Sequence, residues 1–241
     1  MDKRGSLVRL SGIDFTYGDD APVLQGLNFE LFSGQKIGLI APNGSGKTTL
    51  FHVIMGLLAP QAGEIAIFGQ TMKTERDFSA VRHRIGLLFQ DADDQLFCPT
   101  VMEDICFGPL NMGKSKKEAI EISRHTLDFL GLSGFENRIT FKLSGGEKKL
   151  VSLATVLAMQ PEVLLLDEPL TGLDIKTRKV ITEILPQMNI SYIIISHNIE
   201  FLKTTTTGTF TLRDGQIFSD DRVYVHIHDH AHVHGNMPHD H

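Results

Sequence analysis

The stretch APNGSGKTT, residues 41–49, offers groups that hold phosphate. A loop of small residues exposes backbone N–H donors, and a helix starting at its end aims the positive end of its dipole the same way. In that setting Lys47 would reach the β- and γ-phosphates of a nucleotide, and the Thr48 hydroxyl would ligate Mg²⁺. The strict pattern G-x-x-x-x-G-K-[ST] asks for glycine where this chain has Ala41, while Gly44, Gly46, Lys47 and Thr48 fit it. Positive φ at an alanine costs on the order of 1 kcal/mol, so either φ is negative at Ala41 or the loop carries mild strain.

Two further stretches carry chemistry. VLLLDEP places Asp167 and Glu168 at the end of an apolar run. Carboxylates there are costly unless used. Beside a phosphate loop, Asp167 would hold Mg²⁺ through water and Glu168 would polarise an attacking water. KLSGGEKKL spaces Ser144 and Glu147 as a capping box that opens a helix. Capping does not account for Gly145 and Gly146, which weaken a first turn. They suit a place where another molecule approaches the backbone, and an anion at a helix N-terminus is the obvious candidate.

The elements that position these residues are legible in the hydrophobic pattern. KIGLI reads as a buried strand before the loop, and KTTLFHVIMGLL carries Leu50, Phe51, Ile54 and Leu57 at helical spacing, with Pro60 as the stop. Residues 163–166 read as a second buried strand. Leu150, Leu153, Ala154 and Leu157 share one face of the helix after Ser144. VRLSGIDFTY and LQGLNFELFSG alternate like strands, GEIAIFG reads as a strand ending at a turn, and LRDGQIF reads as a hairpin turning at Asp214-Gly215. SKKEAIEISRHTLDFLGL has Ala119, Ile122, Leu127 and Leu130 at helical intervals.

In order along the chain, these motifs resemble those of the ATP-binding cassette (ABC) ATPases over roughly residues 6–219. NGSGKTT, with Asn43, Gly44, Ser45, Gly46, Lys47, Thr48 and Thr49, is similar to their Walker A, and VLLLDEP to their Walker B. LSGGE, with Ser144, Gly145 and Gly146, resembles their signature motif, with Glu147 where many relatives have glutamine. LFQD with Gln90 resembles the Q-loop, TGLD with Asp174 the D-loop, SHN with His197 the switch histidine, and FTYG with Tyr17 the loop that stacks on adenine.

The resemblance implies an α/β fold: a P-loop core, an N-terminal antiparallel β part and a helical subdomain at about residues 91–155, within an ATP-binding domain of residues 1–220. It implies a homodimer that sandwiches two Mg-ATP molecules. Ser144, Gly145 and Gly146 of one copy would bind the γ-phosphate held by the Walker motifs of the other. Gly46, Lys47, Thr48 and Thr49 would cradle phosphates in the same chain. Asp167 and Gln90 would attend Mg²⁺, Glu168 the attacking water and His197 the γ-phosphate.

QDADDQLFCPTVMEDICFGPLNMG resembles the same region of energy-coupling-factor importer ATPases, with Gln95 as its second glutamine and Asp91-Ala92 where relatives often show Asn-Pro. This implies docking on integral membrane subunits at the cytoplasmic face of the membrane, and a cargo that is a vitamin or a transition metal. The C-terminal segment, residues 221–241, carries His226, His228, His230, His232 and His234, then His239 and His241. Alternating imidazoles in an extended chain ligate Ni²⁺ or Co²⁺, among other metals, without a folded pocket. The segment tips the cargo from a vitamin to a metal and reads as a metal buffer or sensor; within metals, the family resemblance implies cobalt or nickel. The open alternatives are a vitamin importer of the same type, a soluble ABC ATPase without a transport role, and a metal-delivering chaperone regulated by ATP.

The 241 residues carry a net charge of −6 and no basic run, which does not suit a nucleic-acid partner. Cys98 and Cys106 make no disulfide framework, in keeping with a cytosolic setting, and no signal peptide is read at the N-terminus. No apolar run reaches the roughly 18 residues that span a bilayer, so work at a membrane would go through a partner.

Overall fold

The computed structural model describes residues 5–18 and 20–219. The histidines of the C-terminal segment lie outside the described residues. Strands β1 (Ser6–Phe15), β2 (Leu24–Phe32), β4 (Ala62–Ile67) and β5 (Gln70–Met72) form an antiparallel sheet in the order β2-β1-β4-β5. A second sheet is built from β3 (Lys36–Ile40), β6 (Ile85–Leu88), β7 (Val163–Asp167), β8 (Ser191–Ile195), β9 (Gly208–Arg213) and β10 (Gln216–Ser219). Its order is β10-β9-β3-β8-β7-β6, parallel except for β10, which turns back antiparallel on β9 through Asp214-Gly215, as the hairpin reading expected.

The parallel strands read as continuous apolar runs because both faces are covered. Their side chains alternate between two cores. Val163 and Leu165 of β7, with Ile193 and Ile195 of β8, pack toward the antiparallel sheet and α1 (Lys47–Ile54). Leu164, Leu166, Tyr192 and Ile194 pack on the other side, toward α5 (Gly145–Leu157) and α6 (Ile175–Ile184). Between β6 and β7 the chain forms α3 (Val101–Asn111) and α4 (Lys116–Phe129) before α5. Helices α2 (Glu75–Arg82) and α7 (Ile199–Thr205) complete the set.

One boundary differs from expectation. Helix α1 ends at Ile54, not near Pro60, because Gly56 takes φ +67° and turns the chain out of the helix. Leu57 therefore leaves the apolar helix face and stands half exposed.

Candidate functional site

Four neighbouring strands of the second sheet end on the same edge, and each delivers one piece of the site. In spatial order they are β3, β8, β7 and β6. The loop after β3 carries residues 41–46, β8 leads to His197, β7 ends in Asp167 with Glu168 next, and β6 leads to Gln90. The carboxyl edge of a parallel sheet is where open α/β folds bind ligands.

Helix α1 begins without a side-chain cap. Gly46 occupies the cap position at φ +90°, and no acidic residue lies in the first turn. The other six α-helices among the described residues are each capped by a side chain, from Thr74, Thr100, Ser115, Ser144, Asp174 and Asn198. The orphan N–H groups of α1 are thus left to an anion from elsewhere. Gly46 has no substitute: its φ is left-handed, and a Cβ would stand 2.7 Å from Val23 Cγ1. Ala41, by contrast, is buried and is not among the residues with positive φ, so the departure from the strict pattern brings no strain.

The side chains converge beyond this helix start. Lys47 Nζ lies 2.9 Å from His197 Nε2, 3.3 Å from Asn43 Oδ1 and 3.7 Å from Glu168 Oε1. His197 Nε2 is 3.2 Å from the same Glu168 oxygen. An ammonium can only donate, so the Lys47 contact makes His197 Nε2 an acceptor and puts the ring proton on Nδ1. Glu168 Oε1 is then buried without a hydrogen bond. Glu168 also has φ +43°, a left-handed conformation that costs a non-glycine residue about 1–3 kcal/mol. Its N–H donates to Ile195 O at 2.9 Å, which ties the strained residue to the end of β8.

Thr48 Oγ1 donates to Asp167 Oδ2 at 3.0 Å, and Asp167 Oδ1 is buried with no hydrogen-bond partner. Burial pushes the Asp167 carboxyl above the ordinary carboxylate range, against the pull of Thr48 and Lys47. An unsatisfied buried carboxylate oxygen beside a threonine hydroxyl fits Mg²⁺, a hard cation that takes oxygen ligands. The Ser45 hydroxyl is likewise buried and unpartnered. A cavity of about 880 Å³ adjoins this pair and reaches Gln90, Lys148 and Gly145, so the exposed Gln90 side chain faces the same space as Thr48 and Asp167. Tyr17 stands edge-on to Phe15, and its hydroxyl pairs with Thr49 Oγ1 at 3.1 Å; the residue is 45% exposed.

Ser144 caps α5 as expected, in a reciprocal box with Glu147. Its N–H, ahead of Arg138, holds the Glu147 carboxyl below the usual range, and Arg138 Nη1 adds an ion pair at 2.8 Å. The carboxylate at this position is therefore already neutralised within the chain. The two glycines divide. A Cβ at Gly145 would meet nothing within 4 Å, but one at Gly146 would stand 2.7 Å from Thr177 Oγ1 and 3.0 Å from Asp174 Oδ2. Gly146 is needed for packing inside the chain, a reason for glycine that the sequence reading did not contain. Asp174 is engaged as the cap of α6, accepting from Thr177 N and Oγ1 at 2.9 Å each.

Three residues with structural work at the site were missed in the sequence. Lys149 is 1% exposed, and its Nζ donates to Phe89 O at 2.7 Å and Gln90 O at 2.8 Å. Burial pulls its ammonium down to about 8, while Asp167, Asp91 and Glu168 oppose the fall. Gln95, noted only as a motif position, ties Phe89 N to Ser152 O and Thr155 Oγ1. Buried Asp104 accepts from Phe97 N, Cys98 N and Thr140 Oγ1, fixing the turn before α3. A sequence signal existed for Lys149: it sits four residues before Leu153, on the edge of the apolar stripe of α5.

A family model described as "ABC transporter" matches residues 24–171. The chain belongs to the ABC transporter family. The cassette is 50% identical over 236 residues to a provisionally named ABC transporter ATP-binding protein of Nitratidesulfovibrio vulgaris, covering 98% of this chain and 86% of that one. It is 40% identical over 218 residues to the energy-coupling factor transporter ATP-binding protein EcfA of Methanothermobacter thermautotrophicus, covering 89% and 70% of the two chains. Among solved structures it resembles cbiO1 of Clostridium perfringens, described as part of the ABC transporter complex cbiONQ. The TM-score is 0.79 at 30% identity, over 89% of this chain and 87% of that one. The expected ABC ATPase fold is borne out. Members of this family bind and hydrolyse ATP, dimerise, and work with membrane components. No helix among the described residues is long and apolar enough to cross a membrane.

Proposed function

We propose that this cassette is the ATP-hydrolysing subunit of an energy-coupling-factor type importer, and that its cargo is a transition metal ion, cobalt or nickel. The observation that carries the ATPase part is the convergence of Lys47, Glu168 and His197 on the uncapped start of α1, with Thr48 and Asp167 alongside. Lys47 and the N–H groups of residues 44–49 bind the phosphates. Tyr17 offers its exposed ring to the base. Mg²⁺, held by Thr48, Asp167 and Gln90, neutralises phosphate charge when bound with the nucleotide. Glu168 Oε1 takes the proton of the attacking water, and a hydrogen bond from that water would satisfy the bare oxygen. His197 contacts the γ-phosphate. Ser144 and Gly145 of a second copy complete the site, the open space at Gly145 leaving room for close approach. Binding closes the homodimer, and hydrolysis removes the phosphate that held it closed.

Docking on a membrane subunit is supported by an apolar groove of about 440 Å³ between α3 and the α1–β6 region. Phe97 and Phe107 line it, edge-to-face at 4.8 Å and 66% and 47% exposed, together with Leu57 and Met159. An exposed aromatic pair beside a groove suits an amphipathic helix of a partner. The EcfA relative and the cbiONQ component favour the importer reading over a soluble ABC ATPase.

The metal cargo rests on His226, His228, His230, His232 and His234. Imidazole ligates only when neutral, and its reference pKa is about 6.5, so metal binding by this segment weakens as pH falls from about 7.5 to about 5.5. Co-purification with membrane subunits, followed by uptake of Ni²⁺, Co²⁺ and vitamins into proteoliposomes, tests the reading. ATP-dependent metal uptake supports it; vitamin uptake alone replaces the cargo. Calorimetry with Ni²⁺ on the full chain and on a chain ending at Asp221 tests the histidine segment separately, and equal binding by both forms refutes its role.

A further inference from the structure

The segment that leaves β6 is fastened to α5 at successive points. Lys149 Nζ donates to the consecutive carbonyls of Phe89 and Gln90. Lys148 Nζ pairs with Asp93 Oδ1 at 2.5 Å. Gln95 closes the segment, accepting from Phe89 N and donating to Ser152 O and Thr155 Oγ1. All four helix residues belong to α5, whose first residues are Gly145 and Gly146 and whose cap is Ser144. Among them Lys149 is the one wholly buried side chain with a charge. The apolar stripe beside it, Leu150, Leu153 and Ala154, would accept leucine or methionine without that charge. A lysine is needed where two backbone carbonyls of a turn must be held by one flexible donor.

We propose that Lys149 is a positioning residue: it locks the backbone at Gln90 to α5, so that the Gln90 side chain and the Ser144–Gly145 turn move as one unit. The bond is made to the Gln90 backbone, which leaves the Gln90 side chain directed to the cavity shared with Thr48 and Asp167. Lys149 makes its hydrogen bonds to the Phe89 and Gln90 carbonyls; it acts through Gln90. The inference rests on the reading of Gln90 as a contact to Mg²⁺.

The test uses the full chain carrying Glu168→Gln, so that ATP binding is read without turnover. ATP affinity is measured by calorimetry with Mg²⁺ and with EDTA for this background alone and with Gln90→Ala, Lys149→Met, Lys149→Arg, and Gln90→Ala combined with Lys149→Met. Amide hydrogen exchange is followed over residues 89–95. Lys149→Met is expected to weaken binding about tenfold in Mg²⁺, as loss of a group supporting a metal ligand does, and to leave binding in EDTA unchanged. It is also expected to speed exchange in that segment. Lys149→Arg restores both, and the double variant is no weaker than Gln90→Ala. Should Lys149→Met unfold, Lys149→Gln, which keeps one donor group, is expected to give the same losses in smaller measure. The proposal is overturned if Gln90→Ala weakens Mg-ATP binding while Lys149→Met (or Lys149→Gln in its place) leaves affinity and exchange as they were. It is also overturned if the double variant is weaker than Gln90→Ala. No effect of Gln90→Ala would remove the nucleotide role of Gln90, and the Lys149 proposal with it.

Discussion

Substituting Gly145 and Gly146 one at a time separates two reasons for a glycine pair. A Cβ at exposed Gly145 meets nothing, so alanine there only restricts the unfolded chain. That is worth about 0.4–1 kcal/mol of added stability, or a rise in Tm of about 1–4 °C for a chain of this size. At Gly146 the methyl would press on Thr177 Oγ1 at 2.7 Å and Asp174 Oδ2 at 3.0 Å. Thr177 Oγ1 donates to Asp174 Oδ2 at 2.9 Å, and the other oxygen of that carboxylate caps α6 by accepting from Thr177 N. Forcing them apart adds an overpacking cost of about 1–3 kcal/mol and a damaged cap worth about 1 kcal/mol. Less the same entropic gain, the net loss is about 1–3 kcal/mol, or roughly 2–12 °C in Tm. Thermal unfolding and phosphate release are measured on both variants. Gly145→Ala should be the more stable protein and the slower ATPase, because its methyl occupies space that a second copy's nucleotide would use. Undiminished ATPase in Gly145→Ala would refute close approach at that turn. Equal stability of the two variants would refute the packing account of Gly146.

Burial holds Asp167 above its ordinary pKa of 3.8, so the ionised form is penalised in the folded chain. That penalty is complete above the folded pKa and disappears as pH falls below the unfolded value. Asp167→Asn should therefore raise Tm at pH 7 while abolishing hydrolysis, with the gain shrinking at acid pH; a lower Tm at pH 7 would contradict this. Phe107→Glu should leave phosphate release by the isolated dimer unchanged and stop co-purification with membrane subunits, and retained assembly would place docking elsewhere. Ser144→Arg and Lys47→Ala, each inactive alone, should recover activity when mixed, through one composite site per heterodimer; a mixture as inactive as its components argues against sites shared between copies.

Much of the site was legible because its parts are local. A strand, a small-residue loop and a helix start are each written in consecutive residues, and so is the capping box of Ser144 and Glu147. What was not legible depends on partners far away in sequence. Gly146 is fixed by residues on α6, and Lys149 by carbonyls 59 and 60 residues earlier. Asp104 looked like one more acid of a helix's first turn, yet it accepts from the preceding turn and from Thr140, 36 residues away. The end of α1 was misplaced for a different reason: the apolar spacing continues to Leu57, but a left-handed Gly56 stops the helix before Pro60 can.

Phosphate release by Glu168→Gln tests the central claim most directly. The carboxylate is buried, sits at φ +43° and lies within 4 Å of both Lys47 and His197. The amide keeps its shape but cannot take a proton. The variant should bind ATP with Mg²⁺, sediment as a dimer, and release phosphate about 10²–10⁴-fold more slowly than the parent chain. Phosphate release at the parent rate would contradict the assignment of Glu168 and the reaction built on it.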